Sequence, residues 1–130
     1  MARGYEGLDA WQLADELRRE VIALTETGRA VRDFKFRDQI RDAASSAVRN
    51  IVEGFGRFRP KDFARFMEYS VASTMETKDL IAEGIERKYF TLKTTEAARK
   101  LIRRSLLVSR GLIRYLKSSR ANVHPFFSEE

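Results

Sequence analysis

Four stretches of this chain carry apolar residues at the three-and-four spacing of an α-helix, and no stretch alternates apolar with polar as a half-buried strand does. That periodicity leaves few folds open. In the first stretch Trp11, Ala14, Leu17, Val21 and Leu24 share a face behind Asp9, a residue suited to an N-cap, and Gly28 supplies a stop. The link RAVRDF leads to a second helix from about Lys35 to Glu53, with Phe36, Ile40, Ala43, Ala44, Ala47, Val48 and Ile51 on one face and Gly54 and Gly56 to end it. Pro60 suits the first turn of a third helix that reaches about Lys88, after which Tyr89 and Phe90 pack in the corner. Thr94 or Thr95 caps a fourth helix that runs to about Ser119. Links this short favour antiparallel neighbours. The expected fold is therefore all-α, an antiparallel up-down-up-down four-helix bundle over residues 1–120, with a flexible C-terminal tail at 121–130.

A chain of 130 residues falls in the one-domain range and can bury a core without staples. The absence of cysteine removes disulfides, thiolate nucleophiles and thiolate metal sites. No apolar run approaches the roughly 18 residues of a membrane span, and the opening residues have no apolar core of a signal peptide. A cytoplasmic protein with no membrane partner is expected. His124, the single histidine, falls in the aperiodic tail, so the paired Glu-x-x-His helices of a di-iron bundle are absent, and no serine has a histidine base on the helices. The segment GFGRFR has the glycines of a phosphate loop but neither its spacing nor a strand before it. The sequence thus predicts no catalytic residue, no metal and no cofactor. The phenylalanines Phe55, Phe58, Phe63 and Phe66 have the spacing of core residues rather than of a base-stacking platform.

Charge is where the chain departs from an ordinary bundle. The formal net charge is +6, and the fourth helix, with seven basic residues against Glu96 alone, carries a net +6 by itself. At 100° per residue Arg99, Arg103, Arg110, Arg114 and Lys117 fall within an arc of about 60° and, at 1.5 Å per residue, form a line roughly 27 Å long. Lys100 and Arg104 broaden it. Helix one, by contrast, mixes signs in Asp15, Glu16, Arg18, Arg19 and Glu20, as a solvated face does. Three readings of the line stand side by side: cations that complement the helix dipole and keep the chain in solution, a surface that tracks nucleic-acid phosphates, or a stripe neutralised by acids of a neighbouring helix or subunit. Arg41, Arg49 and Arg57 are candidates to extend a phosphate surface. The alternative partner is an acidic protein, with the bundle serving as an assembly module.

The segment QIRDAASSAVRNIVEGFGRFRPKDFARF places Asn50 and Glu53 at the edge of helix two, where they are expected to tie down the corner and to pair with Arg57 or Arg41. Here the chain resembles the four-helix-bundle proteins related to those encoded in intervening sequences of bacterial 23S rRNA genes. The resemblance rests on LDAWQLADEL in helix one, on Gln39, Ile40, Arg41, Ala43, Ala44, Ser46, Asn50, Ile51, Glu53, Gly54, Gly56 and Arg57 in order, and on Phe63, Phe66, Ser73 and Glu76 in helix three. It spans roughly residues 5–118. Family members often carry proline near Ala47 or Val48, so a straighter helix two is expected here. The resemblance implies a bundle that assembles as a ring-like homopentamer, with Asn50, Glu53, Gly54, Ser73 and Glu76 in structural or subunit-contact roles. Relatives include accessory proteins of diversity-generating retroelements, which makes nucleic acid, RNA or DNA, the leading partner. A strip of Ser70, Ser73, Thr74 and Thr77 beside the apolar face of helix three is expected to face outward as a self-association surface.

Overall fold

Each helix begins or ends where the local chemistry changes. In the computed structural model, which describes residues 4–118, α1 spans Asp9–Leu24, α2 Phe34–Phe55, α3 Pro60–Glu86 and α4 Glu96–Lys117. The expected tail at 121–130, with His124, and the expected helix end at Ser119 lie outside the described residues. Asp9 is not the cap of α1. That position is held by Leu8, without a side-chain hydrogen bond, and Asp9 instead sets its carboxylate in the first turn, where the helix dipole favours it. α1 stops at Leu24, well short of Gly28, and the buried Thr25 hydroxyl donates back to the Val21 carbonyl at 2.8 Å. Gly28 takes φ +72° in the link that follows, a left-handed conformation that favours glycine. A single 3-10 turn over Ala30–Arg32 then leads to Asp33, whose carboxylate caps α2 by accepting from the Phe36 amide at 3.2 Å.

α2 runs unbroken through the positions where proline was missing from the sequence and continues one residue beyond Gly54. Gly54 is therefore no helix stop. It is buried inside α2, and a Cβ there would lie 2.8 Å from Phe66 Cβ and 2.9 Å from Phe63 Cδ1, so its lack of a side chain sets how closely α2 and α3 approach. Pro60 opens α3 as expected. α3 closes in a Schellman motif: the Tyr89 amide donates to the Gly84 carbonyl at 2.8 Å and the Lys88 amide to Ile85 at 2.9 Å, with Lys88 at φ 63°. The corner then folds Phe90 over Gly84 and Phe36, as the sequence predicts. Thr95 holds the N-cap position of α4, but its hydroxyl donates backward to the Thr91 carbonyl at 2.8 Å and caps nothing.

The core forms two clusters stacked along the bundle. One gathers Leu17 and Val21 late in α1, Phe36 and Ile40 early in α2, Leu80 and Ile81 late in α3, and Ala98 and Ile102 early in α4. The other gathers Ala10 and Ala14 early in α1, Ile51 and Phe55 late in α2, Phe63 and Met67 early in α3, and Leu116 at the end of α4. Early and late halves alternate from helix to helix, as an up-down-up-down bundle requires. α2 and α3 form the most extensive helix pair, α3 and α4 the next, and α1 closes the square against α2 and α4. Among the described residues no helix is long and apolar enough to cross a membrane.

The strip of small polar residues on α3 does not face outward. Ser70, Thr74 and Thr77 are buried, and Ser70 donates across the seam to the Ala47 carbonyl of α2 at 2.8 Å. Thr74 and Thr77 turn their hydroxyls onto the carbonyls of Ser70 and Ser73, one helical turn back. The correction has a simple cause: short side chains let two helices of the same chain approach closely, and α2 supplies Ala43, Ala44 and Ala47 to meet them.

Candidate nucleic-acid interface

The amphipathic sequence of α4 decides where its cations lie. Ala98, Ile102, Ser105, Leu106, Ser109 and Leu116 turn into the core, which forces Arg103, Arg104, Arg110, Arg114 and Lys117 onto the outside. The α3–α4 groove divides them. Arg103 borders a cavity of about 370 Å³ whose apolar wall includes Ile81, Ile85 and Ile102 and whose rim adds Lys78 and Arg99. One end lower, Arg110 and Arg114 border a second groove with Val71, Ile113 and Glu68. Lys100 and Arg104 fall on the other flank, beside Glu16 and Glu20 of α1.

The members of the predicted line are not equivalent. Arg99 is half-buried and held: its Nε donates to Thr95 Oγ1 at 3.2 Å and a terminal nitrogen to the Leu92 carbonyl at 2.7 Å. Lys117 pairs with Glu68 of α3 at 3.1 Å, so one end of the stripe is neutralised by a neighbouring helix. Arg103, Arg104, Arg110 and Arg114 are exposed and make no ion pair among the described residues. They are the uncompensated charge of the surface.

Two further candidates do not join them. The Arg41 Nε donates to Thr25 Oγ1 at 2.7 Å, and the half-buried guanidinium thereby ties the end of α1 to α2, so Arg41 belongs to the interior scaffold and not to a phosphate surface. Arg57 lies at the α2–α3 corner, 3.5 Å from Glu53 and 4.8 Å above the Phe66 ring, away from α4. The expected pairing of Glu53 is thus with Arg57. Arg49 pairs with Asp42 at 3.3 Å. Asn50 reaches one turn back to the Ser46 carbonyl at 2.9 Å, and the Ser46 and Ser73 hydroxyls meet at 2.9 Å, so Asn50 and Ser73 act together across the seam rather than at the helix end. Glu76 stands exposed on α3. Of the four phenylalanines, Phe55 and Phe63 are buried, Phe66 is half-buried and Phe58 is 74% exposed.

One carboxylate was not singled out in the sequence and proves central to the opposite end of the bundle. Asp33 caps α2, accepts from the Tyr89 hydroxyl at 2.6 Å and pairs with Arg87 at 3.1 Å. The Tyr89 hydrogen bond, with the Phe36 amide next, holds its carboxyl below the usual carboxylate range, and the same cluster raises Arg87. An Asp immediately before an apolar periodic run was the available signal.

Bundle, seam and face together define a class, a four-helix bundle with its polar seam closed inward and one strongly cationic helix that keeps four unpaired arginines outward among the described residues. The chain belongs to the 23S rRNA-intervening sequence protein family, whose model matches residues 6–109. The match ends inside α4, so Arg110, Arg114 and Lys117 lie beyond it. No curated protein matches the chain.

Proposed function

We propose that this protein is a non-catalytic, cytoplasmic nucleic-acid-binding bundle that assembles into a homo-oligomer, a pentamer by its family resemblance, and holds phosphates along α4. The observation that carries the reading is the set Arg103, Arg110 and Arg114, exposed on one line and forming no ion pair among the described residues. Membership of a family described by its place in 23S rRNA genes supports the same partner class. Guanidinium groups bind phosphate by paired hydrogen bonds as well as charge. A line of them on an exposed helix face meets backbone phosphates, so the binding is strongly salt-dependent and discriminates little between sequences. In an oligomer each protomer repeats the line, and several weak contacts add up to firm retention.

Fluorescence anisotropy with mixed-sequence RNA and DNA probes, across about 50 to 200 mM salt, tests this. Affinity should fall steeply with salt, and Arg103→Glu/Arg110→Glu/Arg114→Glu should abolish it with the fold intact by circular dichroism. Absence of binding at about 50 mM salt, or indifference to the triple substitution, overturns the proposal. The second reading, an acidic protein partner, is favoured by the α3–α4 groove, where Lys78, Arg99 and Arg103 surround an apolar floor suited to an acidic segment with an apolar anchor. Purification with a bound protein and an absorbance ratio of clean protein would select it.

A further inference from the structure

The outer face of α4 carries a feature that the phosphate line does not explain. Leu107 is 72% exposed and Tyr115 41% exposed, and Gly111 lies between them on the same side of the helix, one turn from each. A Cβ on Gly111 would meet nothing nearer than 3.8 Å among the described residues, so no contact there calls for glycine at a position where glycine weakens the helix. Lys100 and Arg104 continue this strip toward the start of α4; both are exposed and unpaired among the described residues. α3 presents a counterpart. Tyr69, Ala72 and Met75 are exposed along its outside, and Glu76 and Asp79, exposed and likewise unpaired among the described residues, continue toward its end.

The two faces match in height as well as in character. Within the chain α3 lies level with α4 such that Lys78 and Ala82 stand beside Arg103, Glu68 and Ala72 beside Arg110 and Arg114, and Lys117 reaches Glu68. Asp79 is therefore at about the height of Arg104, Ala72 and Met75 at about that of Gly111 and Leu107, with Glu76 and Lys100 about one turn to either side of the Asp79–Arg104 level. Copies related by rotation about an axis parallel to the bundle stand at equal height. Such a rotation sets cations of one copy against acids of the next and apolar residues against apolar ones. Pairing α4 with α4, or α3 with α3, would oppose like charges instead.

We infer that a second copy of this chain docks head to tail, with the outer face of α3 of one copy on the Leu107–Gly111–Tyr115 strip of the next. This rests on the assembly reading given under the proposed function. Gly111 admits close approach of the partner helix at Ala72, and Arg104 faces Asp79, with Glu76 and Lys100 each within about a turn of that pair. Ala72 borders the α3–α4 groove beside Arg110 and Arg114, so the docked helix lies next to the lower part of the phosphate line and leaves Arg103, at the other groove, clear of the contact.

Light scattering and native mass spectrometry of the full chain over a concentration series test the contact. Glu76→Arg/Asp79→Arg and Lys100→Glu/Arg104→Glu should each weaken assembly by about tenfold or more, and the quadruple variant, with both faces reversed, should recover it. Gly111→Gln should raise the melting temperature of the dissociated chain yet weaken assembly, a combination that misfolding cannot produce. A wild-type oligomer that none of these substitutions affects, or a quadruple variant that stays dissociated, overturns the inferred faces and leaves the assembly standing. A wild-type chain that is monomeric at every concentration overturns the assembly reading and the docking contact together.

Discussion

The α2–α3 seam and the outer face of α4 use polar residues in opposite ways. In the seam, Ser46, Asn50, Ser70, Ser73, Thr74 and Thr77 are short, and their hydrogen bonds end on other groups of the chain. On α4, Arg103, Arg104, Arg110 and Arg114 are long, charged and unpaired among the described residues. A satisfied buried hydroxyl adds to packing and costs little, whereas an exposed cation adds almost nothing to stability and stays available to a ligand. The difference teaches that a polar stripe is read by what closes it. The seam is closed from within, and no ion pair among the described residues closes Arg103, Arg104, Arg110 and Arg114 on the face.

The comparison predicts that stability and binding separate cleanly. The largest expected effect is at Phe63, fully buried between α2 and α3, where Phe63→Ala should destabilise by about 4 kcal/mol in urea unfolding. Gly54→Val comes next, at about 3 kcal/mol, because its branched side chain enters space held by Phe63 and Phe66; a neutral result there would mean that the seam is looser than its geometry. At the far end of the same helix pair, Asp33 joins α2 to α3 through Tyr89 and Arg87. Its folded pKa is depressed, so its contribution is present above the unfolded value of about 4 and is lost as pH falls through the folded value. Asp33→Asn should accordingly flatten the acid limb of the stability profile while lowering stability at neutral pH. The smallest effect belongs to the face: Arg103→Gln, Arg110→Gln and Arg114→Gln should each shift unfolding by less than about 0.5 kcal/mol. Should they destabilise as the seam variants do, the division between seam and face collapses.

Much of this was legible along the chain, and the failures share a cause. Periodicity located all four helices to within a few residues, because burying one face of an amphipathic helix demands that spacing wherever the helix ends up. The charge excess of α4 was equally plain, since a helix that turns Ile102, Leu106 and Leu116 inward must turn Arg103, Arg110 and Arg114 outward. Gly54, however, reads as a helix stop in the sequence, and only the approach of Phe63 and Phe66 reveals it as a packing position. Asn50 lies half-buried at the α2 edge as expected whereas Glu53 is exposed beside Arg57, and a single sequence does not distinguish bonding forward to the corner from bonding back to Ser46.

What the sequence alone determined, then, is everything that depends on neighbours three or four residues apart: the helices, their faces and the cationic line. The tertiary structure decided which cations remain unspoken for, drawing Arg41 into Thr25 and Lys117 onto Glu68 while leaving Arg103, Arg110 and Arg114 without an ion pair among the described residues. It also turned the serine and threonine strip of α3 inward. Both decisions rest on contacts between residues far apart in the chain, Arg41 with Thr25, Glu68 with Lys117 and Ala47 with Ser70, and helical periodicity carries no information about such pairs.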